Sequence, residues 1–263
     1  MAQSCSAVLH SWAIAPILTG LRALVTGGGS GIGRAIADEL RKAGASVMTC
    51  DANAATNPDV VADVSDTADV DRVFAQVAKQ LGGLDLLVNN VGIAGPTAAV
   101  QDTDPDEFDR CVRVNLGSAF RCTRLAVPML RERKGSIVNI SSTAGLFGYP
   151  LRSPYVAAKW GVIGMTKTWA MELGAEGIRV NAICPGSVGG VRMDGVIERE
   201  ATTLGLTKEV LRRGYERQVS MGSFIEATDI GKTVVYLASP SARFVSGQVI
   251  SVDGNTETLR ANF

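Results

Sequence analysis

Apolar residues along this chain alternate between short continuous runs and longer stretches with a helical period. The runs LRALVTG (21–27), SVMTCD (46–51) and LDLLVNN (84–90) are typical of strands that are covered on both faces. The stretches 31–43 and 67–81 lie between these runs and are predicted to be helices. The alternation continues with strands predicted at 135–141, 178–184 and 248–252, and with helices at 112–133, 155–173 and 227–238.

Strands that alternate with helices predict an α/β fold, here a single doubly wound Rossmann domain with a mainly parallel sheet and helices on both faces. Ligands of such sheets bind beyond the carboxyl ends of the strands. Four segments follow predicted strands in this way, namely Gly27, Asn89–Asn90, Ser141–Ser142 and Pro185–Gly186. We therefore expect one crevice to gather them.

Asp104, Pro105 and Glu107 form a helix-start signal: a capping carboxylate, a proline at the first position and a glutamate at the third. Proline is tolerated there because the first N–H of a helix has no partner within the helix. We expect a helix to begin at this point, ahead of the long helix predicted over 112–133.

The chain is expected to form an N-terminal arm (1–19) followed by one domain (20–263). The apolar stretch AVLHSWAIAPIL (7–18) is shorter than the roughly 20 apolar residues that span a bilayer. It contains Pro16, and no lysine or arginine precedes it, unlike a signal peptide. We interpret it as an arm that packs on the domain or on a neighbouring subunit, and we expect no membrane association.

Composition narrows the class of protein. The 263 residues are 46% hydrophobic and 20% charged, which suits one large α/β domain. Lysine plus arginine equals aspartate plus glutamate, at 26 each, which argues against a nucleic-acid or anionic-membrane binder. The five cysteines form no CxxC pair and have no neighbouring histidine. We expect buried, reduced thiols, no metal site and a cytoplasmic protein.

The most informative chemistry lies in SSTAGLFGYPLRSPYVAAK, which contains Ser142, Tyr155 and Lys159. The tyrosine and lysine are four residues apart, so they share one face of a helix. A nearby ammonium lowers the pKa of a phenol by favouring the phenolate, which gives a proton acceptor useful near neutral pH. The single histidine, His10, lies in the arm, so Tyr155 is the best candidate for an acid/base.

A glycine-rich turn follows the first predicted strand and opens the first helix. Its sequence, TGGGSGIG (26–33), has GxxxGxG spacing. Glycines permit a tight turn and close approach of the backbone to a pyrophosphate, and the helix presents its N-terminal amides to the anion. A purely structural turn is the alternative, but the strand–turn–helix context favours a dinucleotide site.

Asp51 ends the second predicted strand, 18 residues beyond Gly33. An acidic residue there can accept hydrogen bonds from the adenosine ribose and repels a 2′-phosphate. Ser30 and Ala52 offer no positive charge to such a phosphate, so we expect NAD rather than NADP. Arg34 is the main argument against this, and a helix cap or a solvated loop aspartate is the structural alternative.

Seven motifs in order resemble those of the short-chain dehydrogenase/reductase family, over about residues 20–255. They are TGGGSGIG (26–33), Asp63–Val64, NNVG (89–92), Asn115, Ser142, YVAAK (155–159) and PG (185–186). The resemblance implies a seven-stranded Rossmann sheet and oxidoreductase activity.

The resemblance also implies roles for the matching residues. Tyr155 would be the acid/base, Lys159 would lower its pKa and bind the nicotinamide ribose, and Ser142 would orient the reacting oxygen of the substrate. Asn115 would hold a water that relays protons from Lys159, although an ordinary buried asparagine is the alternative. The cofactor-binding set, besides Tyr155 and Lys159, is Gly27, Ser30, Gly31, Ile32, Gly33, Asp51, Asp63, Val64, Asn89, Asn90, Gly92, Pro185, Gly186 and Val188.

Within this set, Asp63–Val64 would contact adenine, and Pro185–Gly186 with the backbone of Val188 would border the nicotinamide. Asn89–Asn90 would brace the sheet as well as the cofactor ribose. The chain departs from the family pattern at Val91 and Ala158, and more notably at Gly190, where a threonine commonly binds the carboxamide.

The stretch 187–226 is expected to close over the substrate, with short helices at about 191–202 and 207–218. It carries a charged series that favours a solvated face, with an arginine clamp on an acidic substrate left open. The series is Arg192, Glu198, Arg199, Glu200, Arg212, Arg213 and Arg217. The candidate pocket residues are Met193, Val196, Ile197, Tyr215 and Met221, with Leu146, Phe147 and Tyr149.

The sequence therefore predicts an NAD-dependent oxidoreductase that interconverts a small secondary alcohol and a ketone. The alternative enzyme is an NADP-dependent 3-oxoacyl-thioester (acyl carrier protein) reductase. A lyase or epimerase, or a non-catalytic dinucleotide-binding regulator, is favoured less, because Ser142, Tyr155 and Lys159 are all present. Family members form oligomers, so we expect a homotetramer, with a dimer as second choice.

Overall fold

The computed structural model describes residues 17–259 and contains, within them, one sheet of seven strands that all run parallel. The strands are β1 (Arg22–Thr26), β2 (Ser46–Asp51), β3 (Val60–Val61), β4 (Leu86–Asn89), β5 (Ser136–Ile140), β6 (Arg179–Pro185) and β7 (Val249–Val252). Their order across the sheet is β3-β2-β1-β4-β5-β6-β7. The winding reverses between β1 and β4, which is the place where doubly wound sheets bind their ligands.

Helices cover both faces of this sheet. The α-helices of the described residues are α1 (Gly31–Lys42), α2 (Thr67–Leu81), α3 (Pro105–Val112), α4 (Ser118–Arg131), α5 (Ser153–Gly174), α6 (Val191–Leu204), α7 (Lys208–Arg217) and α8 (Ala227–Ala238), of which α6 and α7 form a separate small core. Successive residues of β1 point to opposite layers: Leu24 packs in the cluster that includes Trp169 of α5, and Val25 packs with Ile36 of α1 and Ile230 of α8. The predicted doubly wound architecture is confirmed.

The start signal at Asp104 acts as predicted. The Asp104 carboxylate accepts hydrogen bonds from the backbone N–H groups of Asp106, at 2.7 Å, and Glu107, at 3.4 Å. Pro105 is the first residue of α3. The carboxylate therefore satisfies two of the N–H groups that a helix start leaves without partners.

The long helix predicted over 112–133 differs from the observed one. α3 continues without a break through a π-helical turn, Arg113–Gly117, into α4. A π-helical turn inserts one extra residue into the helix, and such turns are frequent at functional sites. Asn115 lies within this turn.

β3 is the strand that the apolar pattern did not locate, because it has only two residues. The predicted arm (1–19) is described from Ile17 onward, where Leu18 is buried and its N–H donates to the carbonyl of Ala43 at 2.9 Å. Residues 1–16, with His10 and Cys5, and residues 260–263 lie outside the described residues. Within 17–259, no helix is long and apolar enough to span a membrane.

Candidate active site

Tyr155 and Lys159 lie in successive turns at the start of α5, which begins with Ser153 and Pro154. Lys159 Nζ lies 5.6 Å from the centre of the Tyr155 ring. The lysine is only 3% exposed, and its Nζ donates to the carbonyl of Ile140, at the end of β5, at 2.9 Å. A buried ammonium is therefore fixed beside the phenol.

Ser142 follows β5 by two residues and caps the short 3₁₀ turn Thr143–Gly145. Its Oγ accepts a hydrogen bond from the N–H of Ala144 at 3.1 Å, so its own O–H can donate to another group. The adjacent Ser141 is different: its hydroxyl donates to the carbonyl of Lys159 at 2.9 Å and ties α5 to β5. Of the two serines, Ser142 has the hydroxyl proton suited to a substrate oxygen.

Asn115 is held rigidly in the π-helical turn. Its Nδ2 donates to the carbonyls of Ile93, at 3.1 Å, and Cys111, at 2.9 Å. Its Oδ1 is buried and has no hydrogen-bond partner among the described residues. A Cβ placed on Gly92 would lie 2.5 Å from this oxygen and 3.5 Å from Lys159 Nζ. The absence of a side chain at Gly92 thus leaves room between an unpartnered acceptor and the buried ammonium.

The glycine-rich turn requires its glycines for two reasons. Gly27 and Gly31 have φ values of 62° and 51°, which other residues rarely adopt. A Cβ on Gly33 would lie 2.0 Å from the carbonyl oxygen of Gly27, so α1 packs on the strand end only with glycine there. Ser30 is the residue before α1 and makes no side-chain cap, and Ile32 is half-buried. The backbone at Gly31 is open, as a phosphate-binding turn requires.

Asp51 holds this turn from the end of β2. Its carboxylate accepts from the N–H of Gly29 at 3.1 Å and from the N–H of Asn53 at 2.9 Å. Each carboxylate oxygen retains capacity for another donor, so this structural role is compatible with ribose binding. Arg34 lies nearby and donates to the carbonyl of Thr56 at 3.0 Å.

Asn89 and Asn90 brace the centre of the sheet. Asn89 Nδ2 donates to Asn139 Oδ1 at 2.8 Å, which joins β4 to β5. Asn90 Nδ2 donates to the carbonyls of Thr26, at 3.0 Å, and Gly27, at 3.1 Å. These contacts fix the glycine turn relative to β4, so the bracing part of the prediction is confirmed.

The remaining predicted cofactor residues also follow strand ends. Asp63 and Val64 come just after β3, with Asp63 exposed and Val64 buried. Pro185 ends β6, and the N–H of Gly186 donates to the carbonyl of Val252 at 3.0 Å. Val188 pairs with Ile225 and so closes the base of the segment 187–226. The structure thus places these residues along the carboxyl edge of the sheet.

The departure at Gly190 has a conformational cause. Gly190 has a φ of 125°, a value that threonine rarely adopts, and it immediately precedes α6. A threonine at this position would strain the turn into α6. The turn into α6 therefore depends on a glycine at position 190.

The helices of that segment were predicted correctly, but part of its predicted pocket forms a small core instead. Ile197, Leu211 and Tyr215 pack together, with Ala201 beside them and Tyr149 and Phe224 against them. Met221 is 76% exposed. Two of the charged residues pair on the surface, Glu198 with Lys208 and Arg212 with Asp194. The side chain of Arg192 lies outside the described residues.

Glu200 corrects the expectation of a solvated charged face. It is 7% exposed and accepts a hydrogen bond from the hydroxyl of Tyr215, whose oxygen also contacts the hydroxyl of Tyr149. Burial raises the pKa of Tyr149 to about 12 and, more strongly, that of Tyr215. Both phenols are therefore neutral at pH 7, and they link α6 and α7 to the loop that follows Ser142.

Arg152 is the site residue that the sequence reasoning missed. It is 3% exposed, and its Nη2 donates to the carbonyl of Ala94 at 2.6 Å. Its guanidinium carbon lies 5.3 Å from the ring centre of Tyr149 and 5.5 Å from that of Tyr155. The one signal in the sequence was its position three residues before Tyr155. A loop arginine is usually solvated, so nothing local indicated its burial.

The described cysteines are free and buried, as predicted: Cys50, Cys111, Cys122 and Cys184. Burial raises the pKa of all four thiols, that of Cys122 to about 12. Thiols in such surroundings are protonated and unreactive.

Comparison with known proteins identifies the family. A family model described as "Enoyl-(Acyl carrier protein) reductase" matches residues 27–255. The D-beta-hydroxybutyrate dehydrogenase of Cupriavidus necator is 37% identical, and the match covers 90% of this chain and 98% of that protein. The 3-oxoacyl-[acyl-carrier-protein] reductase FabG of Thermotoga maritima is 34% identical, with the same coverage of 90% and 98%.

Solved structures agree with this similarity. NAD+-bound xylitol dehydrogenase superimposes with a TM-score of 0.85 at 28% identity, over 90% of this chain and 99% of that one. A variant of actinorhodin polyketide ketoreductase with NADPH gives 0.84 at 31% identity, over 90% and 97%. With the doubly wound sheet and the ordered motifs, these matches show that the chain belongs to the short-chain dehydrogenase/reductase family of oxidoreductases.

Proposed function

We propose that this protein is an NAD-dependent oxidoreductase that interconverts a secondary alcohol and a ketone, with Tyr155 as acid/base. The observation that carries the proposal is the fixed ammonium of Lys159, 5.6 Å from the Tyr155 ring centre and anchored to the carbonyl of Ile140. Its positive charge favours the phenolate of Tyr155 over the neutral phenol. A phenol stabilised in this way can exchange a proton with a substrate hydroxyl near neutral pH.

When bound, the nicotinamide cofactor would accept or donate the hydride. In the oxidation direction, Tyr155 takes the proton of the substrate hydroxyl, and Ser142 orients the oxygen through its own hydroxyl. Lys159 stabilises the phenolate that must form beforehand. Asn115 offers its unpartnered Oδ1 to a water on the path by which that proton leaves. In the reduction direction the same groups return the proton to the new alkoxide.

The residues present fit a dinucleotide. Gly27, Gly31 and Gly33 shape an open turn that precedes the N-terminus of α1, where backbone N–H groups attract a pyrophosphate. Asp51 would accept the adenosine ribose hydroxyls and repel a 2′-phosphate, which supports NAD. The other predicted residues would contact adenine (Asp63, Val64), the riboses (Asn89, Asn90, Lys159) and the nicotinamide (Pro185, Gly186, Val188).

An NADP-dependent 3-oxoacyl-thioester reductase is the second candidate. It is supported by the similarity to FabG of Thermotoga maritima and by Arg34, an exposed cation that contacts the loop after Asp51. Asp51 argues against it on electrostatic grounds. A homotetramer remains our proposal for the assembly, because Phe120 of α4 and Trp160 and Met171 of α5 are exposed apolar residues on the two long helices.

A panel of small secondary alcohols and ketones, assayed by NADH and NADPH absorbance, tests the proposed function. We expect turnover of at least one alcohol–ketone pair, with a higher kcat/KM for NAD than for NADP. Turnover of 3-oxoacyl thioesters with NADPH alone would favour the second candidate. Binding of NAD without turnover of any alcohol, ketone or thioester would contradict both and favour a non-catalytic regulator.

A further inference from the structure

Arg152 is a buried cation with more hydrogen-bond donors than partners. Only its Nη2 donates, to the carbonyl of Ala94, and its Nε and Nη1 are buried without a partner among the described residues. Arginine stays charged at every physiological pH. Leaving donors of a buried charge unsatisfied costs free energy that a bound acceptor would recover. Arg152 therefore has unused capacity to bind an acceptor.

The unsatisfied donors of Arg152 lie beside Tyr155, the proposed acid/base. The guanidinium carbon of Arg152 is 5.5 Å from the centre of the Tyr155 ring. The neighbouring segment adds a further unpartnered group: the N–H of Ala98 donates to the carbonyl of Leu151 at 3.0 Å, and the hydroxyl of Thr97 is buried without a partner among the described residues. Two adjoining segments thus present unsatisfied donors, and those of Arg152 lie close to the candidate acid/base.

Arg152 forms no ion pair with a carboxylate of the described residues. None of the ion pairs formed within residues 17–259 includes it. Glu200, the buried carboxylate of the covering helices, accepts from Tyr215 instead. Two cations of the segment 187–226 already have carboxylate partners: Lys208 pairs with Glu198, and Arg212 pairs with Asp194.

We propose that Arg152 binds a carboxylate of the substrate, so that the alcohol or ketone on which Tyr155 acts belongs to a hydroxy acid or an oxo acid. This inference rests on the proposed function and narrows its substrate class. A carboxylate supplies both the negative charge and the acceptor oxygens that the guanidinium lacks, whereas an ester or thioester carbonyl supplies an acceptor without the charge. Because the guanidinium lies so near the Tyr155 ring, few carbons can separate the carboxylate from the reacting carbon.

The test compares acids with their neutral esters. Wild-type protein and the variant Arg152→Gln are assayed with NAD on 3-hydroxybutyrate and 3-hydroxyhexanoate and on their methyl esters. We expect the wild type to prefer the acids, and Arg152→Gln to lower the acid-to-ester ratio of kcat/KM by about 10- to 100-fold, mainly through KM. Misfolding lowers both rates equally, so the ratio reports on recognition even if the variant is partly unfolded.

Three further variants test whether the positive charge at position 152, and not a cation elsewhere, recognises the acid. Arg152→Lys keeps the charge and should retain part of the preference for the acid. Arg243→Gln removes an exposed arginine near α8, and Arg212→Gln removes a cation of the covering segment; both should leave the ratio unchanged. A fall in the ratio with Arg212→Gln but not with Arg152→Gln would overturn the proposal in favour of a clamp on the covering segment.

A binding measurement separates this proposal from the proposed function. Acetoacetate and methyl acetoacetate are titrated calorimetrically into the NADH complex of Tyr155→Phe, where no turnover is needed. We expect acetoacetate to bind more tightly than its ester, and Arg152→Gln in the same background to remove the difference. Equal binding of acid and ester overturns the carboxylate assignment, even if neutral alcohols are oxidised and the proposed function stands.

Discussion

Replacing Gly92 by alanine tests whether the space between Asn115 and Lys159 is needed for activity. The new Cβ would lie 2.5 Å from Asn115 Oδ1, closer than the 3.0 Å that Cβ atoms keep from other heavy atoms. The carboxamide must therefore move by about 0.5 Å or more. That movement disturbs the bonds that Asn115 Nδ2 makes to the carbonyls of Ile93 and Cys111.

The size of the effect follows from these contacts. Overpacking of this kind costs about 1–3 kcal/mol of stability, and at about 2–4 °C for each kcal/mol we expect Tm to fall by roughly 2–12 °C. Displacement of a proton-relay group by a fraction of an ångström should lower kcat by about 10- to 100-fold. NAD affinity should fall by less than kcat, because the new methyl group displaces Asn115 Oδ1 directly, at 2.5 Å, whereas Lys159 Nζ, the proposed contact of the nicotinamide ribose, lies 3.5 Å away, at an ordinary contact distance.

The assay measures kcat, Tm and the dissociation constant of NAD for Gly92→Ala. Gly174→Ala is the matched control, since a Cβ there meets nothing within 4 Å and the residue is the last of α5. We expect the control to keep its kcat and to gain slightly in stability. In an Asn115→Ala background, Gly92→Ala should cost much less, because the clashing oxygen is gone. A folded Gly92→Ala protein with kcat within twofold of wild type would show that the space between Asn115 and Lys159 is not needed for activity.

The other predictions concern the cofactor, the pH dependence of stability and the assembly. Asp51→Ala should weaken NAD and improve NADP, and an unchanged ratio of the two kcat/KM values would show that Asp51 does not select the cofactor. The hydrogen bond from Arg22 holds the pKa of Asp85 below its ordinary value, against the opposing effect of burial. The stabilisation is therefore present above the unfolded-state pKa of about 3.9 and is lost as pH falls through the lower folded-state value. Asp85→Asn should thus lower Tm at pH 7 and lower it progressively less as the pH falls below about 3.9, and a loss that does not change with pH would contradict this. Met171→Lys, at a residue 85% exposed on α5, should weaken the proposed tetramer in light scattering, whereas an unchanged mass would place the subunit contact elsewhere.

Local signals were sufficient for most of the fold. The alternation of apolar runs and helical stretches predicted six of the seven strands, because strands buried on both faces need continuous apolar residues. Asp104 and Pro105 marked the start of α3 because capping uses only neighbouring residues. The spacing of Tyr155 and Lys159 predicted a shared helical face, since the helix has a fixed period. Each of these inferences depends on residues that are close in sequence.

The features that the sequence did not reveal depend on distant contacts. β3 is two residues long, so it forms only because β2 lies beside it. The π-helical turn around Asn115 adds one residue, which leaves almost no trace in an apolar period. Arg152 and Glu200 are buried by tertiary packing, although charged loop and helix residues usually face solvent.

The variant Tyr155→Phe lacks the hydroxyl that we propose exchanges a proton with the substrate, so its rate of hydride transfer tests that role. The single-turnover rate of NADH formation or consumption is recorded with a substrate identified in the panel, together with the dissociation constant of NAD. We predict that the rate falls by about 10²- to 10⁴-fold, while NAD binds within a few-fold of its wild-type affinity. A rate within tenfold of wild type, at unchanged NAD affinity, would show that Tyr155 is not the acid/base.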